Sequence, residues 1–285
     1  MIPAAFEYTR ARSLADALKA VGAKNTKVIC GGQSLIPLLR FRLAQPKRLV
    51  DIAHLDALRG IARGKGSGVR IGAATTYREV LESKLLSKNV PLLAEVASHI
   101  GDLQLRNVGT IGGGLAHADP AADMPAAMLA LGATFVLRSA RAVRTVAAHA
   151  FFRGPFETAM KPSELLIEIH VPVTTKGTGT AYESFEQAAS GYSLVGAAAV
   201  VARAKGKVVA ARLAFAGLAD TPFLSNAADQ IVGTDGGTEA VSRAARATAT
   251  GVRANGDIHA SAEYRLHLAT VAARRALLRA IDRAS

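Results

Sequence analysis

The sequence predicts an α+β protein in two parts, a larger ligand-binding part over residues 1–176 and a smaller one over 177–285. Three observations predict it. Two glycine loops, Cys30-Gly31-Gly32-Gln33-Ser34 and Thr110-Ile111-Gly112-Gly113-Gly114, each lie between ordered segments and so do not read as flexible linkers. Residues 174–180 are small and polar with two glycines and make the best linker in the chain. Beyond that linker the pattern changes to an antiparallel meander followed by helices.

Along the first part, Ser13 with Asp16 opens a short helix that Gly22 closes. Residues 27–30 form a strand and run straight into the first glycine loop. Residues 34–41 are apolar enough to pack as a helix, although Pro37 limits it to the first turn or an irregular start. Strands follow at 48–52 and 69–72, the latter after a turn at 64–68. Thr76-x-x-Glu79 is a capping box for a helix to about Leu86. Residues 91–100 carry Leu92, Leu93, Val96 and Ile100 at helical spacing behind Pro91. After the second glycine loop come a helix over 124–131 and strands at 133–137, 143–147 and 165–171. In the second part, strands at 181–187, 194–203 and 208–218 form the meander, its last two members joined by Lys205-Gly206-Lys207. Two or three helices finish the chain, the last over about 261–280. No internal repeat or low-complexity tail interrupts this order.

Composition narrows the function. The 285 residues are half hydrophobic and one fifth charged, a globular balance. The longest apolar runs, 124–136 and 194–202, are too short or too rich in small residues to span a bilayer. Glu7 and Arg10 interrupt any leader-like opening, so a soluble, cytoplasmic protein is expected. A single cysteine, Cys30, excludes an internal disulfide and any all-cysteine metal site. The net charge of +13 raises nucleic-acid binding, but the basic residues are scattered and not interleaved with aromatics, and Trp is absent. A solvated or subunit-facing basic surface is the reading that follows.

Glycine admits positive φ and lets a ligand approach the main chain without meeting a Cβ. Successive exposed N–H groups in such a turn make an anion-binding concavity. Two of them suit a ligand with adjoining phosphates, a dinucleotide held from both sides. Gly-x-Gly-x-x-Gly and Gly-x-x-x-x-Gly-Lys-Ser/Thr are both absent, which argues against a Rossmann NAD protein and a P-loop ATPase. His-Glu-x-x-His and Gly-x-Ser-x-Gly are absent as well.

The long motifs around each loop carry a resemblance. Cys30-Gly31-Gly32-Gln33-Ser34-Leu35-Ile36-Pro37-Leu38-Leu39, with Leu49-Val50-Asp51-Ile52 after it, resembles the first FAD segment of the molybdenum hydroxylase flavoproteins, the medium subunits of carbon monoxide, nicotine and xanthine dehydrogenase-like complexes. Gln104-Leu105-Arg106-Asn107-Val108-Gly109-Thr110-Ile111-Gly112-Gly113-Gly114-Leu115-Ala116-His117-Ala118-Asp119-Pro120 resembles the second segment more closely still, and Ala262-Glu263-Tyr264-Arg265 resembles the C-terminal domain. The likeness spans essentially the whole chain, in order.

That resemblance implies a two-part FAD-binding fold of the PCMH type followed by a smaller α+β C-terminal domain with an antiparallel sheet and helices. It implies that Gly31, Gly32, Gln33 and Ser34, with Thr110, Ile111, Gly112, Gly113 and Gly114, hold the FAD pyrophosphate through main-chain N–H groups, Cys30 and Leu35 flanking the first of them. Ser34 and Thr110 would add hydroxyls. Asp123 would accept from the ribose, although a helix N-cap explains it equally well. Asp119 is placed with it, against the plainer reading of a turn before Pro120. Tyr192 stands where the family has an aromatic residue over the isoalloxazine, against the plainer reading of an edge-strand tyrosine. Leu165 and Leu166 could pack on the adenine or the ring, or be strand core. His117 suits a loop-ordering role better than that of an acid or base.

Two positions depart from the family pattern. Gly114 stands where asparagine or serine is commonest, which removes a side-chain hydrogen bond. Cys30 replaces a small alanine and reads as a buried small hydrophobe or, less simply, as a reactive or flavin-linked thiol.

The function implied is that of an FAD-carrying electron-transfer subunit. A large partner subunit would carry the molybdenum cofactor and a small one two [2Fe–2S] clusters, in a dimer of heterotrimers, with FAD reducing an external acceptor. A self-contained FAD oxidase or reductase of the same fold and, from another class, a basic nucleic-acid-binding protein are the alternatives.

Overall fold

Parallel pairing comes first along the chain. β1 (Glu7–Arg10) and β2 (Thr26–Ile29) flank β3 (Arg48–Asp51), and both pairings are parallel. α1 (Leu14–Val21) crosses between the first two strands, its Ser13 hydroxyl accepting from the Asp16 N–H at 3.1 Å. α2 (Leu35–Arg40) crosses between the next two. Pro37 is the third residue of that helix, where a missing N–H forfeits no helical bond. These coordinates are a computed structural model that describes residues 2–64, 66 and 68–284. Lys65 and Ser67 of the turn predicted at 64–68 lie outside the described residues.

The second sheet begins with β4 (Ile61–Arg63) and β5 (Gly68–Gly72). Six helices follow: α3 (Tyr77–Glu82), α4 (Lys84–Asn89), α5 (Pro91–His99), α6 (Leu103–Val108), α7 (Ile111–His117) and α8 (Met124–Leu131). Then come β6 (Thr134–Arg138), β7 (Val143–Ala147), the small hairpin of β8 (Phe152–Gly154) and β9 (Glu157–Thr158), and β10 (Leu165–Pro172). The sheet order is β4-β5-β10-β6-β7, and every pairing is antiparallel.

The capping box is present in full. Thr76 Oγ1 accepts from the Glu79 N–H at 3.2 Å while the Glu79 carboxylate accepts from the Thr76 N–H at 2.7 Å. The single helix predicted to about Leu86 instead breaks at Ser83, whose backbone turns extended (ψ 110°) and whose hydroxyl caps α4. The second glycine segment is itself helical: Thr110 is the N-cap and Gly112, Gly113 and Gly114 lie inside α7. Three glycines oppose a helix by propensity, so tertiary contacts hold it.

The C-terminal part is the predicted meander. β11 (Thr178–Glu186), β12 (Ser193–Ala204), β13 (Lys207–Ala216) and β14 (Phe223–Leu224) pair in chain order, and α9 (Thr238–Ala247) and α10 (Ala262–Arg283) follow. The predicted linker is shorter than expected, since residues 178–180 already belong to β11. Period-two alternation divides this sheet between two cores. Ala197, Ala199, Val201, Leu213 and Phe215 pack in one cluster with α9 and α10, while Tyr182, Ala198, Ala214 and Ala216 join the core of the first part. α8 is buried at every position. Arg265 explains the motif at 262–265. It is buried and donates to Leu194 O, Gly217 O and Asp257, tying α10 to the ends of β12 and β13. Several basic residues of α10 thus serve internal ion pairs, which accounts for part of the positive charge without nucleic acid.

One such cluster joins the two parts. Glu95 of α5 accepts from Arg279 and, at 2.7 Å, from Arg283, and Arg279 also donates to Glu183. The arginines are about 40% exposed, so screening limits the worth of each pair. Replacing Glu95 with alanine is expected to lower stability by about 1 kcal/mol in low salt. The gap from wild type should narrow in thermal unfolding at high salt; a gap indifferent to salt would refute the ionic account.

Candidate functional site

The two glycine segments meet. A Cβ built on Gly31 would lie 2.5 Å from Val108 O and 2.8 Å from Gly109 Cα, so the first loop lies directly on the backbone that leads into the second segment. Thr110 hydrogen-bonds the Cys30 sulfur, an effect outweighed by burial, which pushes the thiol above its ordinary value. Cys30 is therefore a packed, protonated thiol.

The first loop follows the end of a parallel strand, where open α/β sheets present ligand sites. Gly32 holds φ +71°, a left-handed turn that suits glycine. Among the described residues, none accepts from the N–H groups of Gly32, Gln33 and Ser34. Ser34 occupies the N-cap of α2 but its hydroxyl makes no capping bond. Gln33 is exposed, and Ser34 and Leu35 are half-buried. Three consecutive free donors and an uncommitted hydroxyl form an anion-binding concavity.

The second segment is built differently. Ile111 N–H donates to Thr75 O at 2.9 Å, Gly112 N–H to Ala73 O at 2.9 Å, Gly113 N–H to Thr110 Oγ1 at 3.2 Å and Gly114 N–H to Thr110 O at 3.0 Å. Their donors are engaged within the chain. What the segment offers is a surface without side chains, with Gly113 exposed on it.

Asp123 opens α8 without making a capping bond. It is 5% exposed and accepts from the hydroxyls of Tyr182 and Ser193, both from the C-terminal part. Burial pushes its carboxyl up to about 6, against the lowering effect of those two hydrogen bonds. Tyr192 lies in the turn between β11 and β12 rather than in an edge strand. It is 47% exposed, and burial, then Asp119 and Asp123, raise its phenol. Asp119 accepts from the Ala121 N–H at 2.9 Å, the turn expected before Pro120. His117 rests against the Phe156 ring at 5.1 Å and is held neutral mainly by burial.

The structure links these groups stepwise: Gly31 lies on the backbone of 108–110, Gly114 lies against the Tyr77 hydroxyl, and Asp123 meets Tyr182 and Ser193 of the C-terminal part. Leu166 pairs with Leu137 in the second sheet and belongs to the main core, which Ile111 of the second segment shares. Three further residues of the site were not singled out from sequence, namely Tyr77, Tyr182 and Ser193. Tyr182 sits in the middle of β11 and carries no local signal. Tyr77 lies within the capping box, just after its Thr76, and that is its local signal.

Known proteins share this fold. A family profile described as the FAD binding domain in molybdopterin dehydrogenase matches residues 4–174, and one described as the CO dehydrogenase flavoprotein C-terminal domain matches 180–280. This chain belongs to that flavoprotein family. The flavoprotein is 38% identical to the carbon monoxide dehydrogenase medium chain of Afipia carboxidovorans, over 100% of this chain and 99% of the other. It is 36% identical to the 6-hydroxypseudooxynicotine dehydrogenase complex subunit alpha of Paenarthrobacter nicotinovorans, over 100% and 97%. It superposes with a TM-score of 0.96 on a chain of the Hydrogenophaga pseudoflava carbon monoxide dehydrogenase that lacks the Mo-pyranopterin moiety of its cofactor, at 38% identity and 99% coverage of both chains. The flavoprotein is therefore an FAD-binding oxidoreductase subunit of the molybdenum hydroxylase class. The free donors at Gly32, Gln33 and Ser34 fit an anionic group such as the FAD pyrophosphate. Among the described residues no helix is long and apolar enough to cross a membrane.

Proposed function

We propose that this flavoprotein is the electron-transfer subunit of a cytoplasmic molybdenum-containing dehydrogenase. A large partner would carry the molybdenum cofactor and hydroxylate the substrate with oxygen from water. A small partner would carry two [2Fe–2S] clusters, the whole assembling as a dimer of heterotrimers. FAD, when bound, supplies the redox chemistry, taking electrons from those clusters and delivering them to an external acceptor. The supporting observation is the row of free N–H donors at Gly32, Gln33 and Ser34, beside Gly31, which lies against residues 108–110. A chain with one cysteine cannot ligate a four-cysteine cluster, which is consistent with clusters on a partner.

In this reading the chain binds and orients. The N–H groups of Gly32, Gln33 and Ser34 and the Ser34 hydroxyl take the pyrophosphate, with Gly31 and Leu35 shaping the loop and Cys30 packed beneath it. The Thr110 hydroxyl and the run from Ile111 through Gly112, Gly113 and Gly114, whose glycines bear no side chain, allow close approach from the other side. Asp123 accepts from the ribose, Asp119 fixes the turn leading to it, and Tyr192 covers the isoalloxazine. Leu166 contributes only through the core beneath. Native purification should recover FAD on this chain together with molybdenum and iron on two co-purifying partners. A chain isolated without partners that oxidises substrate by itself would refute the subunit assignment.

A further inference from the structure

Tyr77 opens α3 as a residue 6% exposed, and none of the described residues hydrogen-bonds its hydroxyl. The oxygen itself is not fully buried, so the hydroxyl is a donor open to water or to a ligand. The position of Tyr77 is closely fixed. Its backbone N–H donates to Gly109 O at 3.0 Å, and the neighbouring Thr76 forms an antiparallel bridge with Thr110. The ring is thereby anchored to the second glycine segment. Burial, then Asp123 and Tyr192, raise the phenol well above its ordinary value, so it remains a protonated donor at neutral pH.

The hydroxyl fills a particular space. A Cβ built on Gly114 would lie 2.1 Å from Tyr77 Oη and 3.4 Å from Cζ. By the motif resemblance, glycine at 114 departs from a pattern with asparagine or serine there. The phenol occupies the volume where the first atoms of such a side chain would be.

We propose that the Tyr77 hydroxyl donates a hydrogen bond to FAD in place of the side chain that Gly114 lacks, so that Tyr77 and Gly114 form an exchanged pair. The proposal rests on the reading that residues 110–114 lie against the cofactor. It makes Tyr77 a flavin-binding residue and explains both the unpartnered phenol and the unusual glycine.

The test is FAD binding to the full chain, stripped of flavin and titrated by fluorescence, with thermal unfolding of the flavin-free proteins as the folding control. Tyr77→Phe should weaken binding by roughly 3- to 10-fold, the worth of one neutral hydrogen bond, with little change in unfolding. Gly114→Ser alone should be worse, because its Cβ collides with the hydroxyl. The combination Tyr77→Phe with Gly114→Ser should bind more tightly than either single variant, since the Cβ then faces a ring carbon at ordinary contact distance. Unchanged affinity in Tyr77→Phe, or a combination no better than the worse single variant, overturns the pairing. Should Gly114→Ser fail to fold, Tyr77→Phe alone decides. A Gly113→Val chain that keeps its full flavin would overturn the site reading itself, independently of Tyr77.

Discussion

A Gly113→Val chain should fold and should come through purification without FAD. Gly113 is the exposed glycine of α7, and an added Cβ would meet only the Thr110 hydroxyl, at 2.7 Å. The folding cost is loss or distortion of that N-cap, about 1 kcal/mol, partly offset because valine is a better helix former than glycine. The binding cost is larger. A branched side chain on the bare face of α7 holds the pyrophosphate away from the donors at Gly32, Gln33 and Ser34. Losing two charge-assisted hydrogen bonds of roughly 1.5–3 kcal/mol each weakens FAD by at least ~100-fold. Flavin absorbance per polypeptide after gel filtration, beside the thermal unfolding curve, reads both effects. Full flavin content with a normal unfolding curve would show that α7 does not face the cofactor. The neighbouring glycines are poorer probes. A Cβ on Gly112 would lie 2.5 Å from Ala73 O, and one on Gly31 2.5 Å from Val108 O, so both replacements break backbone packing. Gly32 carries positive φ, which adds strain of roughly 1–2 kcal/mol for any other residue.

Those differences among the glycines mark where the sequence stops being readable. Both segments were recognisable as glycine clusters at fixed places, and α8, β6 and the meander followed from periodicity and turn residues. That the second cluster is a helix N-terminus was not visible, because three glycines argue against helix and the holding contacts come from Ala73 and Thr75, distant in sequence. β1 escaped notice for a related reason: its residues Glu7 to Arg10 are all exposed, so it has no apolar alternation to read. α6 lay hidden inside the second motif and is announced only by Asp102, whose carboxylate accepts from the Leu105 N–H at 2.7 Å. The site followed the same division. Side chains that touch a ligand by virtue of local motif were legible, while Tyr182 and Ser193 reach Asp123 from another part of the chain and leave no local trace.

Asp123 sets function against stability, and Asp123→Asn should separate them. Burial raises its carboxyl from 3.8 to about 6 despite two donated hydrogen bonds. The folded chain therefore binds this proton more tightly than the unfolded one. By linkage the contribution is most favourable below about pH 4, declines as pH rises to about 6, and is constant above that. Two pH units correspond to about 3 kcal/mol, the ceiling on what the ionised form costs the flavin-free chain at neutral pH. Asparagine keeps the shape and the acceptor oxygen that Tyr182 and Ser193 use, but carries no charge to bury. The flavin-free variant should match wild type near pH 4 and unfold at higher temperature than wild type at pH 7 to 8. An isothermal comparison across that range that shows no divergence would refute the buried-charge account. FAD affinity should move the other way. A carboxylate accepts ribose hydroxyls more strongly than an amide does, so the variant should lose roughly 10-fold in binding, about the worth of one hydrogen bond to a charged group. A position that is tighter as the neutral residue for folding and as the charged one for ligand is kept acidic by the ligand. A stabilised variant with undiminished FAD binding would instead leave Asp123 as a joint between the two parts, held by Tyr182 and Ser193 alone.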